Sequence, residues 1–135
     1  MNTIPKDIII TSFNSKFNSI CSVLLDSKFI QYSIKDKINN FIKISNIRLD
    51  CIIELISISI KHKKKLLYSL TKNEQNNLNG KHIPILDIFS FNIFTKKEID
   101  NIYKYWMLIE ISIRKNIYSL ILNLIKLVII YNNGN

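Results

Sequence analysis

Residues 95–131 read TKKEIDNIYKYWMLIEISIRKNIYSLILNLIKLVIIY, and this stretch indicates the fold class most clearly. It opens with a capping box, because Thr95 and Glu98 stand three residues apart directly before an apolar run. Apolar side chains then recur every three or four residues to the end of the stretch, which is the spacing of one face of an α-helix. The sequence therefore predicts one long helix over 96–131, or two helices that bend near residues 114–116.

The second half of this stretch has only a narrow polar stripe, formed by Ser119, Asn123 and Lys126. A helix that is apolar around most of its circumference is normally buried between other helices. A membrane anchor is the competing interpretation of residues 117–131, although a membrane span needs about 20 apolar residues. We therefore expect a largely buried C-terminal helix, and a membrane-peripheral protein held by this segment is kept as an alternative.

The N-terminal half of the chain also has mostly helical spacing. Residues 8–31 form the first predicted helix, with apolar positions at steps of three and four. A weak capping box at Ser33 predicts a short second helix, with its inner face over 34–42. Residues 46–60 are predicted to be a third helix, because polar residues recur along them at helical spacing. The alternation of Ile and Ser within 56–60 is instead typical of a strand.

The segment that follows is less regular. Residues 72–82 form the main predicted loop, because they are rich in Asn and contain Gly80. Residues 83–94 are apolar with one Pro, which predicts a short strand or an irregular buried segment. The expected fold is a single all-α domain over 1–135, a compact bundle of four to six helices with a largely buried C-terminal helix.

The composition excludes several classes of protein. Gly and Pro number two each, which excludes collagen-like and linker proteins. An apolar fraction of 47% excludes intrinsic disorder, and a content of two Cys excludes a disulfide scaffold. We expect Cys21 and Cys51 to be buried free thiols. No signal or transit peptide pattern is found, so the expected location is intracellular and cytoplasmic.

Codon bias competes with function as the cause of the formal net charge of +9. Thirty Ile, seventeen Asn and seventeen Lys, with Ala absent, are typical of an A/T-rich genome. The charge therefore indicates an anionic partner only where the lysines are concentrated.

Motifs that would support catalysis are not found in the sequence. Two Gly cannot form a phosphate-cradling loop, and His62 and His82 lie outside any zinc-ligand spacing. Asp50 and Glu54 stand one helical turn apart, as paired catalytic carboxylates can. Because Lys61 extends the same stripe, a solvated and partly ion-paired helix face is the preferred interpretation. We therefore expect a protein that is not an enzyme and needs no cofactor or metal.

The densest concentration of charge is the segment Lys61-His62-Lys63-Lys64-Lys65, which we call the basic cluster. Four ammonium groups in five positions suit contact with the phosphates of RNA or DNA, or with an acidic protein surface. Two further lysines lie in the predicted loop nearby. The candidate polyanion-binding residues are Lys61, Lys63, Lys64, Lys65, Lys72 and Lys81.

An aromatic group precedes the middle of the C-terminal stretch, in Tyr103-Lys104-Tyr105-Trp106. Interleaved aromatic and cationic side chains can stack on bases or anchor a protein partner. Tyr103 and Tyr105 are therefore candidate partner-binding residues. The competing interpretation places Trp106 in the core and leaves Lys104 and Tyr105 facing solvent.

Taken together, these features predict a small non-catalytic accessory protein that contacts a polyanion or an acidic partner through the basic cluster. The alternative is a helical protein-interaction module whose apolar groove accepts a partner helix. Small helical viral regulators of the Bcl-2-like type are an analogy for that module at the level of the fold alone.

Overall fold

The computed structural model describes residues 4–61, 72 and 94–133, and within them lie five α-helices. They are α1 (Lys6–Leu25), α2 (Tyr32–Ile47), α3 (Cys51–Lys61), α4 (Lys96–Leu108) and α5 (Ile111–Asn133). The predicted all-α bundle is confirmed. The predicted loop over 72–82 and the predicted strand over 83–94 lie outside the described residues, apart from Lys72 and Phe94.

The first helix is shorter than the sequence predicts at its C-terminal end. It begins after Pro5, whose carbonyl oxygen accepts the backbone N–H groups of Ile8 and Ile9. It ends at Leu25 rather than at residue 31, because the chain then turns, with the Phe29 N–H donating to the Ser27 hydroxyl. The apolar spacing continues through that turn, so periodicity alone could not locate the end.

The second helix begins directly after Gln31, whose carbonyl oxygen accepts the backbone N–H groups of Ile34 and Lys35. The prediction that Ser33 caps this helix was wrong, since Ser33 lies inside its first turn. A short turn over residues 48–50 then joins α2 to α3.

The third helix confirms the helical interpretation of the Ile-rich segment. Ile56 and Ile60 are buried, whereas Ile58 between them is 57% exposed. A strand would place all three side chains on one face, so the pattern of burial follows the helical period. The helix begins at Cys51, five residues after the predicted start.

The fourth helix begins with the predicted capping box. The Thr95 side chain accepts the Glu98 N–H, and the Glu98 carboxylate accepts the Thr95 N–H. The predicted bend near residues 114–116 was wrong, because the break falls at Ile109 and Glu110. No Gly or Pro stands there to mark it.

The core consists of two apolar clusters, and some half-buried residues pack against both of them. In the larger cluster, α5 packs against α1 and α3, as its predicted burial requires. In the smaller cluster, α2 packs against the end of α1 and against α4. The fully buried side chains of the larger cluster include Phe13, Ile52, Ile53, Ile56, Tyr118, Leu124 and Val128.

Candidate binding surfaces

The basic cluster begins within α3, at Lys61. The Lys61 side chain is exposed, and the preceding Ile60 is buried. The described ion pairs join Lys37 to Glu98 and Arg48 to Asp50, and Lys61 takes part in neither.

The remaining lysines of the predicted polyanion site are only partly covered by the structure. Lys72 is described, with an exposed side chain and helical backbone. Lys63, Lys64, Lys65 and Lys81 lie outside the described residues, and their role stays a prediction.

The aromatic group in α4 does not form the surface that the sequence predicts. Tyr105 is only 6% exposed, so the prediction that it faces solvent was wrong, while its role in partner binding stays a prediction. Burial also raises the pKa of its hydroxyl. Tyr103 is half-buried and packs against the larger core cluster. The expectations that Trp106 lies in the core and that Lys104 faces solvent are confirmed.

The polar stripe of α3 faces the end of α5 rather than solvent alone. Asp50 at its start is ion-paired at 2.9 Å, but with Arg48 rather than with the Lys61 of the same stripe. Further along, however, Glu54 accepts the hydroxyl of Tyr131 at 2.5 Å. Ser57 is buried and donates to the side-chain oxygen of Asn132 at 2.6 Å. The prediction of a solvated face was therefore wrong for the middle of the stripe.

These two hydrogen bonds join the C-terminal end of α5 to α3, and a third contact joins it to the start of α1. The hydrogen bond to Glu54, with burial, raises the pKa of Tyr131 to about 12, so its hydroxyl stays protonated. The ammonium group of Lys6 lies 4.7 Å from the centre of the same ring, within cation–π range. A protonated hydroxyl that donates to Glu54 suits a structural tie between helices better than proton transfer.

A buried carboxylate ties α2 to α4. Glu98 is 4% exposed, and its carboxylate accepts hydrogen bonds from Lys37 at 2.5 Å and from the Thr95 N–H at 2.8 Å. The Lys37 bond lowers the Glu98 pKa to about 2 against the cost of burial, with further help from Thr95 and Ser33. The sequence marks Glu98 as a capping residue but gives no sign of its ion pair.

The residues that could ligate metals or act as nucleophiles are separated in the described part of the chain. No group of three His, Cys, Asp or Glu side chains that could hold a metal ion occurs there. Cys21 and Cys51 are free thiols, the first buried and the second half-buried. Burial raises the pKa of the Cys21 thiol to about 12, which disfavours the reactive thiolate.

The comparisons with known proteins add nothing to this geometry. No family model, no curated protein and no solved structure matches the chain. Of the described helices, α1 alone has the length and apolar composition to cross a membrane, a test that a core helix also meets. Residues 117–131 lie in α5, where seven side chains are buried, so the described packing favours a core helix there.

Proposed function

We propose that this protein is a small non-catalytic binding protein that contacts the phosphates of RNA or DNA through the basic cluster. The observation that carries the proposal is the exposed side chain of Lys61, on a helix whose other face is anchored in the core. The chain continues from there into His62-Lys63-Lys64-Lys65. The proposed activity lies inside the cell, where nucleic acid is found.

The predicted binding is independent of base sequence. Lysines gain affinity by displacing the counterions condensed on phosphates, and this gain carries no sequence information. Arginine is the usual reader of guanine edges, and both arginines of this chain are engaged locally. Arg48 pairs with Asp50, and Arg114 donates to the carbonyl oxygen of Ile109 at 3.2 Å.

The experiment compares retention on heparin and on immobilised RNA for two variants of equal charge. One carries Gln in place of Lys61, Lys63, Lys64 and Lys65. Its matched control carries Gln in place of four exposed lysines elsewhere: Lys28, Lys43, Lys96 and Lys126. We expect the first variant to elute at much lower salt than the control.

Equal elution of the two variants would refute the proposal, because net charge alone would then explain retention. Retention on heparin without binding to RNA or DNA would also refute it, in favour of an acidic protein partner.

The alternative of a partner helix in an apolar groove stays a prediction. The described chain exposes fourteen large apolar side chains, all in turns or within four residues of a helix end. Such positions favour contacts made by the ends of helices over contacts made by a groove between them. One of these ends supports a more specific proposal.

A further inference from the structure

The junction of α4 and α5 presents an apolar surface to solvent. We call residues 107–116 the elbow, and eight of these ten residues are exposed. The exposed set includes four large apolar side chains, between 38% and 62% accessible. They are Met107, Leu108, Ile111 and Ile113. These four side chains lie within seven residues of one another, and larger exposed apolar patches are typical of interaction sites.

The elbow is a well-made turn rather than a frayed helix end. The Ile109 N–H donates to the Tyr105 carbonyl, which completes α4. The Glu110 carbonyl accepts the N–H groups of Ile113 and Arg114, which begins α5. The Arg114 side chain also donates to the Ile109 carbonyl at 3.2 Å. The local backbone is therefore satisfied while the apolar side chains stay outside.

Positive charge surrounds the apolar surface. Lys104 and Lys115 are exposed beside it, and Arg114 is half-buried at its base. Glu110 is the one acidic residue between positions 104 and 116. Three cations against one anion give residues 104–116 two net positive charges, and the whole chain carries +9. A complementary partner therefore offers apolar groups to the exposed apolar side chains and negative charge to the lysines.

We propose that the elbow inserts into the interface of an anionic phospholipid bilayer. Its apolar side chains would lie at the boundary between headgroups and acyl chains, and Lys104 and Lys115 would contact lipid phosphates. Eight of the ten elbow residues are exposed, which leaves its apolar side chains accessible to a fluid surface. The elbow and the basic cluster have no residue in common, so separate variants test them and either proposal can fail alone.

The test measures binding of the full chain to vesicles of phosphatidylcholine, with and without about one third phosphatidylserine. The elbow variant carries Leu108→Gln and Ile111→Gln, and its matched control carries Ile47→Gln and Leu49→Gln. Both pairs are exposed, so both variants should fold, as circular dichroism can verify. We expect about tenfold weaker binding for the elbow variant and wild-type binding for the control.

Charge and depth supply two further readouts. Lys115→Gln should weaken binding about fivefold, because each cation near an anionic surface contributes about 1 kcal/mol. Trp106 is the single Trp of the chain and directly precedes the elbow. Insertion of the elbow should bring its buried ring near the acyl chains, so brominated lipids should quench part of its fluorescence. Quenching should persist when Gln replaces the four lysines of the basic cluster.

Several results would overturn the proposal. Failure of the wild-type chain to bind anionic vesicles is one, and equal effects of the elbow and control variants is another. Loss of binding only in the basic-cluster variant would assign lipid contact to that cluster instead. A dimer in solution that the elbow variant converts to a monomer, without vesicle binding, would assign the surface to a second copy.

Discussion

Substitution of Glu98 tests how α2 and α4 are held together. The Glu98 carboxylate is buried and accepts bonds from Lys37 and from the Thr95 N–H. Glu98→Gln keeps the size of the side chain and removes its charge. The amide oxygen can still accept the Thr95 N–H, so the capping bond is largely preserved. The variant therefore isolates the charged interaction with Lys37.

The expected loss follows from the pKa of Glu98, which is lowered from 4.5 to about 2 in the folded protein. That difference corresponds to an upper bound of about 3 kcal/mol. The Lys37 side chain is 33% exposed, so solvent screens the pair. We therefore expect Glu98→Gln to lower the free energy of unfolding by about 2 kcal/mol at pH 7.

The contribution of Glu98 to the free energy of unfolding depends on pH. Because the folded pKa of Glu98 is depressed, its contribution is present above pH 4.5 and is lost as the pH falls toward 2. The stability deficit of Glu98→Gln relative to wild type should therefore shrink by roughly half by about pH 3. Urea denaturation of both proteins between neutral and acid pH measures this difference.

A matched control separates the pair from general effects of charge. Glu110→Gln removes an exposed carboxylate and should change the free energy of unfolding by less than about 0.5 kcal/mol. Lys37→Met should also be destabilising, and a double-mutant cycle with Glu98→Gln should yield a coupling of about 1 kcal/mol or more. Wild-type stability of Glu98→Gln, or a deficit independent of pH, would show that the charge of Glu98 does not stabilise the bundle.

Three further predictions test the packing. Ile56→Ala, at a fully buried position, should lower the free energy of unfolding by about 3 kcal/mol. Ile58→Ala, on the exposed face of the same helix, should lower it by less than about 1 kcal/mol. Equal losses would contradict the helical pattern of burial in α3. Cys51 should react with a thiol reagent in the native protein at neutral pH and Cys21 only on unfolding, because burial raises the Cys21 pKa to about 12; two equally fast thiols would contradict this. Tyr131→Phe removes the hydroxyl that donates to the carboxylate in α3, and should cost about 1 kcal/mol in urea denaturation at pH 7; unchanged stability would show that this bond contributes nothing.

Local signals in the sequence predicted much of the fold. The capping box at Thr95 and Glu98 formed as expected, because both partners lie within one helical turn. The helical period also identified α3. Ile and Ser alternate over residues 56–60 as in a strand, but Ile58 is exposed while Ile56 and Ile60 are buried, as in a helix. Signals of this kind depend on residues three or four apart, which one sequence displays directly.

The position of the elbow could not be predicted, because tertiary packing sets it. The apolar period runs unbroken through Ile109, and neither Gly nor Pro interrupts it. Ile109 packs against both core clusters. Tyr105 was misplaced for a related reason. Helix α4 is buried on two faces, with Tyr105 in one cluster and Trp106 in the other, whereas a single apolar stripe predicts one buried face.

The polar ties between helices were also invisible in the sequence. Lys37 and Glu98 are 61 residues apart, and Tyr131 and Glu54 are 77 apart. Each of these residues has an ordinary local role, as a surface lysine, a capping carboxylate or a polar position on a stripe. Only the packing of the bundle brings the partners together.

We propose that the basic cluster, rather than net charge, contacts phosphates. The most direct test is the slope of the logarithm of the RNA association constant against the logarithm of salt concentration. Each lysine–phosphate contact on a single strand contributes about 0.7 to that slope, so Gln at Lys61, Lys63, Lys64 and Lys65 should reduce it by roughly 3. The control with Gln at Lys28, Lys43, Lys96 and Lys126 should keep the wild-type slope. Equal reductions in both variants would contradict the claim.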